Sequence, residues 1–210
     1  MITWLPRGYR TVTETQARRS RFLTTLARAD DEDAARAVVD QARRTWPDAR
    51  HHCSAFVVDV PGAQPVERSS DDGEPAGTAG TPMLEVLRGA GLTNVVVVVT
   101  RYFGGVLLGT GGLVRAYSDA VADALAAAPR VRPVERHLLR IRVRPDEAGR
   151  LQGALVGRGV DVIDAVWADE VFLTLATGDA ARAAGIVRAT LRREIALTSA
   201  GSTVTEEPLP

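Results

Sequence analysis

Three carboxylates crowd into one glycine-rich stretch, Ser70-Asp71-Asp72-Gly73-Glu74-Pro75-Ala76-Gly77-Thr78-Ala79-Gly80. Asp71, Asp72 and Glu74 are hard oxygen donors, the set that would hold a cation such as Mg²⁺ or position a water for general-base work. An Asp-Asp-Gly run also makes a solvated turn whose Asp side chains bond their own backbone. Gly77 and Gly80 are more glycine than such a turn needs. The stretch does not follow the EF-hand pattern, and no resident cofactor is expected beyond that one candidate cation.

The second chemistry-bearing stretch is Arg101-Tyr102-Phe103-Gly104-Gly105, followed by Gly109-Thr110-Gly111-Gly112-Leu113-Val114-Arg115-Ala116-Tyr117. A helix opening at Gly109, Thr110, Gly111 and Gly112 would present bare backbone N–H groups to an anion. Arg101 and Arg115, with Arg21 upstream, would add forked donors suited to phosphate. Close helix–sheet packing through small residues is the competing reading of the same glycines. A dinucleotide fold is disfavoured, because the glycines come too late after the preceding strand. His51-His52-Cys53 is a third candidate, a groove, a metal triplet or a thiol–imidazole pair with Cys53 as nucleophile, against the plainer reading of a buried cysteine between one inward and one outward histidine. On a strand, neighbours point to opposite faces, so His52 cannot join His51 and Cys53.

The composition narrows the chemistry. All 26 basic residues are arginine, which excludes a lysine Schiff base and a Walker A loop. Net charge is zero, so any nucleic-acid contact has to use a local patch. Aromatic residues make up 5%, which argues against an extended base-stacking platform. The single cysteine allows no internal disulfide and no cysteine zinc cage. Val95–Val99, the most apolar unbroken run, is too short to span a bilayer, and no signal pattern opens the chain. A cytoplasmic protein with no membrane partner is expected.

The elements that position these groups follow from pattern. Strands are expected over Tyr9–Thr15, Ser20–Ala27, Cys53–Val60 and Asn94–Thr100, the last buried on both faces because it does not alternate. Helices are expected from the acids at Asp30–Asp33 to Pro47, from a Thr81 cap to Gly89, and from Gly111 to Ala128. Pro129–Pro133 looks like a linker. Beyond it, Leu138–Val143, Asp146–Val156, Val160–Trp167, Glu170–Ala176, Asp179–Arg193 and Ile195–Thr205 give the order β-α-β-β-α-β.

Taken together, Arg19-Ser20-Arg21-Phe22, Asp48-Ala49-Arg50-His51-His52-Cys53 and the two glycine stretches resemble the IMPACT/YigZ family in order and spacing over about residues 18–125. The resemblance implies an α+β protein. Its first domain, 1–130, would be similar to domain 2 of ribosomal protein S5. A ferredoxin-like βαββαβ domain, 135–210, would follow, similar to a terminal domain of elongation factor G. It implies association with RNA or the ribosome and a role in translation regulation. Eukaryotic relatives also bind a large activator of an initiation-factor kinase, but they carry an RWD domain that this sequence does not show, so that partner is not carried over. The family supplies no established catalytic residue.

The expectation is therefore a regulatory factor with a phosphate-binding groove made by Arg21, Arg101, Tyr102, Gly104, Gly105, Gly109–Gly112 and Arg115. The alternatives are a metal-assisted phosphoryl or nucleotide enzyme built on Asp71, Asp72 and Glu74, and a protein-binding module.

Overall fold

The computed structural model describes residues 2–209, and they form two compact units. Among the described residues, the first unit runs to Arg132 and includes 208–209; the second is Pro133–Glu207.

In the first unit, β1 (Arg10–Ala17), β2 (Ser20–Arg28), β3 (His51–Val58), β4 (Val66–Ser70) and β5 (Val95–Tyr102) make one sheet in the order β1-β2-β5-β3-β4. Each pairing is antiparallel. The run of valines in β5 lies at the centre because both faces of the sheet are covered. Val95, Val97 and Val99 pack with Phe22, Cys53 and the helices α2 (Gly80–Gly89) and α3 (Thr110–Ala126). Val96 and Val98 pack with Phe56 and the helix α1 (Glu32–Thr45) on the other face.

Local chemistry sets most of the boundaries. Asp31 caps α1 by accepting from the Ala34 N–H, and Glu32 and Asp33 complement the helix dipole. Arg18 and Arg19, both at positive φ, make the two-residue turn between β1 and β2. α2 starts one residue before Thr81, and no side chain at its N-cap bonds to it. β4 has no apolar alternation to announce it; it is a polar edge strand paired only to β3.

The second unit contains most of β6 (Val131–Val143), then α4 (Pro145–Val156), β7 (Asp161–Trp167), β8 (Val171–Thr177), α5 (Ala180–Leu191) and β9 (Thr198–Pro208). Its strand order is β7-β8-β6-β9, which a β-α-β-β-α-β chain reaches with both helices on one face. Leu139, Ile141 and Val143 of β6 and Val171, Leu173 and Leu175 of β8 form that face with Leu151, Leu155, Ile186 and Val187. The stretch expected as a linker is ordered: the Trp4 N–H donates to the Val131 carbonyl at 2.8 Å, and Val131 opens β6. No helix among the described residues is long and apolar enough to cross a membrane.

Candidate anion and aromatic site of the first unit

The site begins with the pleat of β5. Arg101 stands opposite Phe22 of β2 on one side and His51 of β3 on the other, so all three face α2 and α3. Tyr102 is paired with Arg21 one position on, and both therefore lie on the face that α1 covers. Arg21 forks onto Glu14 at 2.9 and 3.0 Å, and Tyr102 donates to Asp48 at 2.8 Å. The groove expected from the sequence thus divides across the sheet: Arg101 and the α3 glycines are on one side, Arg21 and Tyr102 on the other. Arg115 is exposed on the outer side of α3, away from the buried Leu113 and Tyr117.

Arg101 is 6% exposed. Its Nη1 donates to Glu74 Oε1 at 2.7 Å and its Nη2 to Ser20 Oγ at 3.3 Å, while its Nε has no partner. The guanidinium lies 5.6 Å from the Phe22 ring centroid and 5.7 Å from that of Phe103. Glu74 Oε1 also accepts from the Tyr117 hydroxyl at 2.8 Å. Tyr117 meets Phe22 edge to face at 5.3 Å, and Cys53 Sγ lies 3.3 Å from the Tyr117 oxygen. The two glycine stretches therefore meet at the Glu74–Arg101 pair, inside a packed aromatic corner. Burial pushes the Cys53 thiol up to about 12 and raises the Tyr117 phenol as well. Cys53 is fully buried and protonated at neutral pH, the wrong state for a nucleophile.

The three carboxylates do not converge on a common point. Asp71 Oδ1 accepts from the Ala79 and Gly80 N–H groups at 3.0 and 2.8 Å, and Oδ2 from Gly77 at 2.8 Å. It is the cap that α2 lacks locally. Burial works against its charge, but these three amides prevail and hold the carboxyl below its ordinary value. Asp72 pairs with Arg43 of α1 at 2.8 Å and accepts from the His52 N–H at 2.6 Å. Glu74 belongs to Arg101. No group of three His, Cys, Asp or Glu side chains among the described residues is placed to hold a metal.

His51 and His52 part as the alternation requires. His51 Nδ1 lies 2.9 Å from the Asp72 carbonyl, which only accepts, so that nitrogen carries a proton and donates. His52 turns to Thr100 Oγ1 at 3.0 Å on the α1 side, where burial lowers its pKa.

The loop after β5 shapes a cavity. Gly104 passes so close under the backbone of Arg19 that a Cβ would overlap the Arg19 carbonyl, and its N–H donates to Ser20 Oγ at 3.2 Å. Gly109, at φ +72°, turns the chain into α3 and is its N-cap. The amides of Thr110, Gly111 and Gly112 precede the first helical bond, from the Leu113 N–H to the Gly109 carbonyl, and no side chain caps them. A cavity of about 420 Å³ opens at this terminus. Arg50, His51, Glu74 and Arg101 line it together with the apolar Pro75, Phe103, Leu107, Leu108 and Leu113 and with Gly109 and Thr110 of the terminus itself. Arg50 is exposed and has no carboxylate partner among the described residues. Arg50 and the apolar wall were missed as site residues from the sequence. The signal was present, since Arg50 adjoins His51 and Phe103 adjoins Gly104.

A two-unit α+β protein with this antiparallel first sheet and a helix opening on glycines beyond its central strand defines a recognisable class. The model of the Impact N-terminal domain matches residues 18–125, and the chain belongs to the IMPACT family. It is 52% identical over 126 residues to the IMPACT family member YigZ of Escherichia coli K12, covering 60% of this chain and 61% of that one. An IMPACT family member of Haemophilus influenzae is 46% identical over 130 residues, covering 62% and 63%. The match thus spans about three fifths of the length of these two relatives. A Thermus thermophilus family member is 42% identical over 147 residues, covering 70% of this chain and 78% of the relative. Among solved structures, one of a hypothetical protein shares the fold over 94% of this chain and 97% of its own, with 35% identity and a TM-score of 0.64. The two-domain translational regulator Yih1 aligns over 57% of this chain and 47% of its own, with 29% identity and a TM-score of 0.41.

Proposed function

We propose that the chain is a translation-associated factor that takes a short single-stranded segment of RNA, free or on the ribosome, into the cavity at the start of α3. The observation that carries this reading is the pairing of unlike walls. Phe103 keeps 47% of its surface exposed beside the uncapped α3 terminus, with Arg50 and Arg101 close by. An unpaired base stacks on an aromatic face, and its phosphate takes backbone N–H groups and arginine. A chain of zero net charge suits a few local contacts better than sequence-independent coating of a strand.

The metal-assisted reading draws no support from this geometry, because Asp71, Asp72 and Glu74 each already serve backbone amides, an arginine or a tyrosine. A protein partner keeps one specific observation in its favour. Leu107, 79% exposed, and Val106 continue the apolar wall outward from Phe103.

Fluorescence anisotropy of the full chain with a labelled single-stranded RNA of about 12 nucleotides tests the reading. Phe103→Ala is expected to weaken binding by about tenfold, since one stacked base contributes about 1–3 kcal/mol. Wild-type affinity in the Phe103→Ala variant would overturn the RNA reading of this cavity. A variant Leu107→Ser that keeps RNA affinity but loses a protein partner would support the second reading.

A further inference from the structure

The sheet of the first unit has two outer strands, and β1 is the longer. It pairs with β2 alone, over all eight of its residues and without a bulge. The Arg28 N–H donates to the Tyr9 carbonyl at 3.0 Å, so Tyr9 is bonded toward β2 and, by alternation, so are Thr11, Thr13 and Thr15. The backbone N–H and C=O groups of Arg10, Val12, Glu14 and Gln16 therefore point out of the sheet edge. The other outer strands among the described residues are blunted. β4 has five residues, β7 has a register shift between Val162 and Asp164, and β9 carries Gly201 at φ +97° and ends on Pro208. β1 has no proline, glycine or bulge, and Val12 in its middle keeps 48% of its surface exposed. An edge left in this state is a template for another strand.

We propose that β1 is the contact through which two copies of this chain associate, edge to edge and antiparallel, with Val12 on the two-fold axis. The side chains of the outward set select that occupant. Arg10 and Glu14 flank Val12 symmetrically on the same exposed face of the strand. In an antiparallel pair about Val12, outward backbone groups meet outward backbone groups, and Val12 lies across from Val12 of the partner copy. Arg10 of each copy then lies across from Glu14 of the other, so unlike charges meet at both symmetry-related positions. The nearest registers that keep the outward groups paired set Val12 against Arg10 or Glu14, and the next set Arg10 or Glu14 against itself. Arg10 has no ion-pair partner among the described residues. Glu14 is held by Arg21 through one bond to each oxygen, in a pair exposed on both sides, and an ionised carboxylate keeps acceptor sites for a second guanidinium. A copy of this chain brings its charges in the order that the antiparallel edge needs, which favours it over an unrelated strand. The proposal stands independently of the RNA reading.

Sedimentation velocity of the full chain, at concentrations up to about 100 μM, reads the assembly. The wild type is expected to form a dimer that dissociates on dilution. Val12→Pro removes an N–H that points outward and takes no part in the β1–β2 ladder, so the variant should keep its far-ultraviolet circular dichroism and remain a monomer. Arg10→Glu sets like charges opposite each other at both contacts and should weaken the dimer about tenfold. Adding Glu14→Arg to that variant reverses both charges and should restore the wild-type equilibrium. A wild-type chain that stays monomeric across the range would overturn the proposal and leave the edge to a strand of another protein. A dimer unchanged in Val12→Pro would place the contact elsewhere and overturn it as well. Arg10→Glu that dimerises like the wild type, or that Glu14→Arg does not rescue, would overturn the register about Val12.

Discussion

Glu74 and Arg101 form an ion pair at 2.7 Å in which neither side chain is more than 6% exposed. A buried pair of this kind costs desolvation on both sides, and its net worth is small or negative against apolar residues of the same size. Breaking it is a different matter, because the survivor is left charged in a dry site beside Phe22 and Tyr117. Glu74→Leu and Arg101→Leu are each expected to cost about 3–5 kcal/mol in urea unfolding. The double variant should be much less destabilised than the two single changes combined. Additive losses would show that the two residues act independently.

Asp71 provides a test of the remote cap. Asp71→Asn should lower stability by about 0.5–2 kcal/mol at pH 7, the range for losing a helix cap. Its folded carboxyl titrates below the ordinary value, so the cap's contribution is full above the unfolded Asp value of about 3.9 and is lost as pH falls through the folded one. The stability gap between wild type and variant should be flat from pH 7 down to about 4 and close below that. A gap that widens on acidification would contradict the assignment.

Cys53 should be silent in the native protein. A buried thiol raised to about 12 has almost no thiolate at pH 8, so a disulfide reagent is expected to label it only at the rate of global or local opening. Labelling should be complete in denaturant. Rapid native labelling would place the thiol in a different environment.

Two glycines of the second stretch should respond in opposite directions. Gly104→Ala drives a methyl group into the Arg19 carbonyl and should destabilise by about 1–3 kcal/mol. Gly111→Ala meets nothing within 4 Å inside α3 and should stabilise by up to about 1 kcal/mol. Thermal melts of the two variants check this, and similar losses in both would mean that the α3 opening is packed rather than open.

The sequence makes the fold legible where a pattern is local. The β5 valines, the Asp31 cap and the alternation of the second unit can all be recognised from neighbours within a few residues. β4 was missed because Val66-Glu67-Arg68-Ser69-Ser70 pairs at an edge and buries little. The Thr81 cap was wrong because the groups at the start of α2 are bonded by Asp71, which lies outside any local cap pattern. The groove was assigned too many members for a similar reason. β5 is apolar on both faces, so its composition does not reveal which of Arg101 and Tyr102 faces α3. Only the register, Phe22 opposite Arg101 and Arg21 opposite Tyr102, separates them. The alternation did divide His51 and Cys53 from His52, because that argument needs nothing beyond the strand itself.

The dependence of affinity on salt tests most directly whether Arg50 and the α3 terminus hold an RNA phosphate, as proposed. Each phosphate contact to a single strand adds about 0.7 to the slope of log affinity against log salt concentration. Removing one free arginine from the cavity removes one such contact. Arg50→Ala is expected to bind the labelled single strand more weakly at low salt and to flatten the slope by about 0.7, while Arg115→Ala, on the outer side of α3, leaves the slope unchanged. An unchanged slope in Arg50→Ala, or an equal fall in Arg115→Ala, would contradict the account.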